Sequence, residues 1–139
     1  MKLLPLLMII LLQVNLFADG GNIIKTAEHH YNNGEYYNAI TESMRYQHLY
    51  PEGDLYAASV ILAGKSYYLG GNTEKALGIF TDCFNRFAKE TQGQEGLYYS
   101  GIVRILSGSY YFGARTFQEY NFVYKGGIFY EDSVFNLCR

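Results

Sequence analysis

Gly64-Lys65-Ser66-Tyr67-Tyr68-Leu69-Gly70-Gly71, followed by Ala76-Leu77-Gly78-Ile79-Phe80, is the stretch on which the fold turns. Gly71 has counterparts 37 positions away on either side, Gly34 and Gly108. The same step of 37 joins Ala27, Gly64 and Gly101, and again Ala39, Ala76 and Gly113. Phe80 and Phe117 form a bulky column that Ser43 opens, and Tyr46, Cys83 and Tyr120 form another. A shared period of this length marks stacked supersecondary units. Each unit reads as two amphipathic helices around its glycine. The first helices are expected at Ile23–Asn33, Leu55–Leu69 and Leu97–Leu106, the second at Tyr36–Tyr50, Thr73–Phe87 and Tyr110–Tyr124. A glycine between them can take a positive φ and reverse the chain. Small residues seven positions before it and five after it let the paired helices approach closely.

The chain has 139 residues, 49% of them hydrophobic and 17% charged, which excludes disorder through low hydrophobicity. Its 15 Gly show no third-position period and Pro is only 2, which removes a collagen reading. Residues 19–139 carry 10 bases against 13 acids, so no nucleic-acid partner is expected. Two Cys cannot make a disulfide scaffold.

The columns resemble the tetratricopeptide repeat: a small residue, an aromatic three positions on, then Ala-x3-Phe and a closing Pro. Pro51 closes the first unit, and the likeness covers residues 22–139. It implies an all-α, right-handed solenoid of three helix-turn-helix hairpins plus a terminal helix. The units fall at about 22–54, 55–93 and 94–130, with a partial unit at 131–139. The chain departs from the pattern in its period, in Ser43, in Arg104 at an aromatic position and in Gly113. The extra residues are expected around Glu52–Tyr56 and Thr91–Gly93, an arrangement similar to tetratricopeptide proteins of bacterial envelopes. The last stretch reads either as a cap or as the start of a longer array.

Met1-Lys2 precedes an unbroken apolar run, Leu3 to Leu12, and Ala18 comes before the polar break at Asp19. This is the layout of a secretory signal at 1–18, with 19–21 as a short linker. Export to a periplasm or to the outside is the expectation, with an N-terminal membrane anchor as the alternative. No second run of spanning length follows, so contact with a membrane would come through a partner.

Little in the chain suggests chemistry. His29 and His30 are helical neighbours and point about 100° apart, which does not favour one shared metal. His29 is expected in solvent and His30 at the packed aromatic position. Cys83 and Cys138 occupy packing columns in non-adjacent units and are expected as buried free thiols. Gly70-Gly71-Asn72-Thr73 lacks the Lys-Ser/Thr of a phosphate loop, and Gly126-Gly127 reads as a turn. No acid–base or nucleophile set stands at a recognisable spacing, so neither an enzyme nor a metal or cofactor is expected.

The chain has 15 Tyr. Tyr36, Tyr67 and Tyr110 are expected in the core. In tetratricopeptide arrays the first helices line the concave face. That resemblance assigns Ile24, Glu28 and Tyr31, then Ile61, Lys65 and Tyr68, then Tyr98, Ile102 and Ile105 to a partner-binding groove, which Phe135 would extend. The implied function is a non-catalytic scaffold that docks a peptide or helix of a partner protein. The alternative is a spacer in an envelope assembly, the chain being the N-terminal fragment of a longer array. Clamping of an acidic C-terminal tail is not expected, since Lys65 is the lone base on this face.

Overall fold

The computed structural model describes residues 20–138, so the leader expected at 1–18 lies outside the described residues. Those residues form seven α-helices and no strand. Helix α1 covers 20–32; the others are α2 (Tyr36–Leu49), α3 (Tyr56–Leu69), α4 (Thr73–Phe87), α5 (Thr91–Leu106), α6 (Tyr110–Val123) and α7 (Tyr130–Cys138). Consecutive helices from α2 to α7 pack against each other as hairpins in a solenoid-like array. Helix α3 also touches α5, whereas α2, α4 and α6 do not pack substantially on one another. The first helices α3 and α5 therefore crowd together on one side, while the second helices splay on the other. No described helix is long and apolar enough to cross a membrane.

Three identical turns set this arrangement. Gly34, Gly71 and Gly108 have φ of 76°, 88° and 82°. Each glycine N–H donates to the carbonyl three residues back, as Gly71 does to Tyr68 at 3.1 Å. The next N–H reaches five residues back: Glu35 to His30, Asn72 to Tyr67 and Ser109 to Arg104, at 2.8 to 2.9 Å. This pair of bonds satisfies the last carbonyls of the first helix and requires a left-handed residue between them.

Four of the five columns become the seam of each hairpin, the turn glycines being the fifth. Ala27, Ala39, Ala76, Phe80, Cys83, Phe117 and Tyr120 are fully buried. A Cβ on Gly64 would come within 2.7 Å of the Phe80 ring, and one on Gly101 within 2.9 Å of Phe117. The first hairpin has Ala27 where the others have glycine, and Ser43 where they have phenylalanine. Small and large thus compensate along the repeat, as close packing demands.

At two junctions between hairpins a side chain reaches under the loop that follows. Tyr46 and Tyr120 each place a hydroxyl under the following loop, accepting the N–H of Leu55 at 3.2 Å and of Phe129 at 2.9 Å. Gly53 and Gly127 lie over those hydroxyls, where a Cβ would come within 2.4 and 2.9 Å of the oxygen. At the middle junction Cys83 replaces the tyrosine, and its Sγ donates to the Gln92 carbonyl at 3.4 Å. The slimmer side chain lets α5 lie directly on α4. A Cβ on Gly93 or Gly96 would run into the Phe87 or Phe80 carbonyl oxygen, at 2.1 and 2.6 Å.

This geometry corrects three expectations. Helix α5 begins at Thr91, not Leu97, so Thr91–Gly93 extends a helix instead of loosening a linker. Gly20 and Gly21, read as linker, are helical, and Gly20 packs beside the Tyr46 and Tyr50 rings. Tyr110, expected in the core, is 68% exposed. Its counterpart Tyr36 is half-buried beside Gly70 of the next hairpin, a neighbour that Tyr110 lacks among the described residues.

Gly101→Ala is expected to cost about 1–3 kcal/mol through overpacking, and less in a Phe117→Leu background. Urea titration at constant m reads both, and equal costs would show that the Phe117 ring is not what excludes the methyl. Tyr120→Phe strips the acceptor from the Phe129 N–H and should cost about 1–3 kcal/mol; an unchanged Tm would refute the latch.

Candidate functional site

The residues assigned to a groove fall on the inner helices, but they do not form one open surface. Ile24 (6% exposed) packs with Ile23 and Tyr46, and Ile61 (4%) packs with Val60 and Phe80. Both are core. The physical reason is the crowding of first helices on the inside of the curve, which seals the position that a wider solenoid would leave open. Glu28 is exposed, and Tyr31 is half-buried with its ring edge-on to Tyr36 at 6.0 Å. Burial raises the Tyr31 phenol above its ordinary pKa, against an opposing pull from Lys65.

Lys65 is already engaged. Its Nζ donates to Glu95 of α5 at 2.5 Å and stands 5.0 Å above the Tyr99 ring. The pair is partly shielded, at 24% and 17% exposure, and ties α3 to α5. Tyr98 stacks on Phe129 with centroids 4.3 Å apart and planes 9° from parallel. It therefore secures the last loop and offers little free face. Tyr68 stays half-buried.

Ile102 and Ile105 stand differently. With Leu106, Tyr110 of α6 and Leu137 of α7 they line a cleft of about 570 Å³, mostly apolar. Leu106 is 65% exposed at its rim. Three of these five were not assigned to the groove, because the cleft exists only where α7 meets the α5–α6 hairpin. Phe135 is exposed at 61% on α7.

The histidines do not join. His29 Nε2 faces the Asn33 side-chain amide at 3.0 Å. His30 does not pack at the aromatic position; it crosses the turn to pair with the Glu35 carboxylate. Hydrogen bonds from His30 and then Asn38 hold the Glu35 carboxyl below its usual range. Among the described residues no cluster of three or more His, Cys, Asp or Glu is placed to hold a metal.

Both thiols are free, but only Cys83 is buried; Cys138 is exposed on the last turn of α7. The small-residue column is covered by the second helix of a hairpin, and α7 has no such helix over it among the described residues. Burial, then the Glu95 and Asp82 carboxylates, pushes the Cys83 thiol up to about 12. No protein-family model matches the sequence, and no curated protein matches it either.

The two thiols should separate chemically. Near pH 8, on the order of half an hour in iodoacetamide should label Cys138 alone in the native chain, because the thiolate is the reactive form. Both should react after unfolding. Peptide mass spectrometry reads the sites, and labelling of native Cys83 at the rate of Cys138 would contradict its burial.

Proposed function

We propose that this chain is a non-catalytic, tetratricopeptide-like scaffold that binds a peptide or helix of a partner protein through its inner helix row. The observation that carries this is the apolar cleft at Ile102, Ile105 and Leu106, bounded by α6 and α7. A row of apolar side chains with few charges suits a helix or extended segment that inserts one or two large side chains. The docking end is the C-terminal third of the row, since Ile24 and Ile61 are sealed and Lys65 is neutralised by Glu95. The leader pattern at 1–18 supports export to the cell envelope as the setting.

Leu106 and Ile102 provide the test, because Leu106 is exposed and Ile102 only half-buried in the same cleft, whereas Tyr98 holds the last loop. Leu106→Glu is expected to leave Tm within about 1 °C, as surface substitutions generally do. It should abolish recovery of the partner in affinity capture, and Ile102→Ala should weaken it. Undiminished capture by both variants would remove the inner row as the binding surface.

A further inference from the structure

The splayed second helices leave two more clefts, which the inner row does not share. The first, of about 260 Å³, opens between α2 and α4 over Val60 and Ala63 of α3. The second, of about 720 Å³, opens on α6 beside Arg104 of α5. Tyr67, Lys75, Gly78, Ile79 and Asp82 line the first; Arg104, Phe112, Arg115, Thr116 and Glu119, each 37 residues later, line the second. The two are the same location in successive hairpins.

Past α1, Gly78 is the anomaly. It is exposed in the body of α4, where glycine is less favourable than alanine in a helix. Gly64, Gly93, Gly96, Gly101 and Gly113 each have a neighbouring atom that would meet a Cβ closer than 3 Å. At Gly78 nothing lies within 4 Å. Internal packing does not require this glycine; its effect is to keep the cleft open.

Charge points the same way. Residues 19–139 carry 10 bases and 13 acids. Yet these clefts hold Lys75, Arg86, Arg104 and Arg115 against Asp82 and Glu119, with Glu74 beside Lys75 on the adjoining rim of Gly78. Asp82 is engaged by Arg86 at 3.4 Å. Lys75 Nζ sits 5.9 Å above the Tyr67 ring and has no carboxylate partner among the described residues. Four of the ten bases thus border these two recesses, the first of them floored by apolar side chains and the second more polar.

We propose that these outer clefts dock an acidic segment of a partner protein, seating an apolar side chain over Gly78 with carboxylates facing Lys75 and Arg86. Val60, Ala63 and Ile79 form the floor for that side chain. A segment that continues to the next cleft meets Arg104 and Arg115 beside Phe112. A recess of side-chain size with a second cleft one repeat away suits a peptide better than a flat anionic bilayer.

The test uses the full chain and a fluorescent synthetic peptide of about 12 residues, alternating Leu with Glu, long enough at about 40 Å extended to reach both clefts. Anisotropy should rise saturably, the Gly78 amide should shift in NMR titration, and added salt should weaken binding. Gly78→Leu should abolish binding while Tm holds or rises, because the new side chain fills empty space on a helix. Lys75→Glu should weaken it about fivefold, and Leu106→Glu should leave it unchanged. That last variant separates this surface from the inner row. Equal binding by Gly78→Leu, or preference for a Leu–Lys peptide, would overturn the proposal. So would phosphatidylglycerol vesicles or self-association, seen by sedimentation, being what Gly78→Leu abolishes while the Leu–Glu peptide fails to bind.

Discussion

The contact of a phenylalanine ring with bare backbone holds this array together. Phe80 lies on Gly64 and Phe117 on Gly101, both rings fully buried, with no room for a methyl group between. Burial of a large side chain is worth about 1.5–3 kcal/mol, and a single hairpin has few such contacts. The array therefore gains its stability where helices come closest, and every other feature accommodates that approach. The left-handed turn glycines return the second helix at the right register. The small residues at Ala39, Ala76 and Gly113 let it settle, and Gly113 receives Ile105 of the partner helix.

Much of this was legible because it depends on residue size at fixed spacing. The turn glycines, the small columns and the hairpin order follow from a period of 37, and the helices between them follow from apolar patterning. What escaped depends on one side chain reaching into the next unit. The hydroxyls of Tyr46 and Tyr120 hold backbone N–H groups nine residues ahead. Cys83 in the same column accompanies a shorter junction, which set the start of α5 apart from expectation. The signal was present, since Gly53 and Gly127 lie two periods apart, as the tyrosines do. Cys83, the exception in that column, breaks the pattern at the middle junction.

The binding surface was less legible for a related reason. Inner positions were assigned by register, which treats each unit alike. Curvature does not. Where α3 meets α5 the inner row closes, and Ile61 becomes core while Lys65 finds Glu95. Where α5, α6 and α7 meet, it opens around Ile102 and Ile105. The depth of an inner position is decided by the helix beyond it, so one column can hold a core residue in one hairpin and a docking residue in the next.

Curvature also links the inner and outer surfaces. First helices can crowd only if second helices separate, because each hairpin is a wedge of nearly fixed thickness. Closing the inner row at α3 and α5 therefore opens space between α2 and α4 on the other side. A side chain at position 78 could have refilled that space, and glycine stands there instead. The seam glycines are accounted for by the rings lying on them, but Gly78 is not, and helix propensity argues against it. Of the glycines within described helix bodies past α1, it alone has no internal neighbour to justify it. That makes the cleft it opens a place for an external contact on the outer side, as the cleft at Ile102 and Ile105 is on the inner.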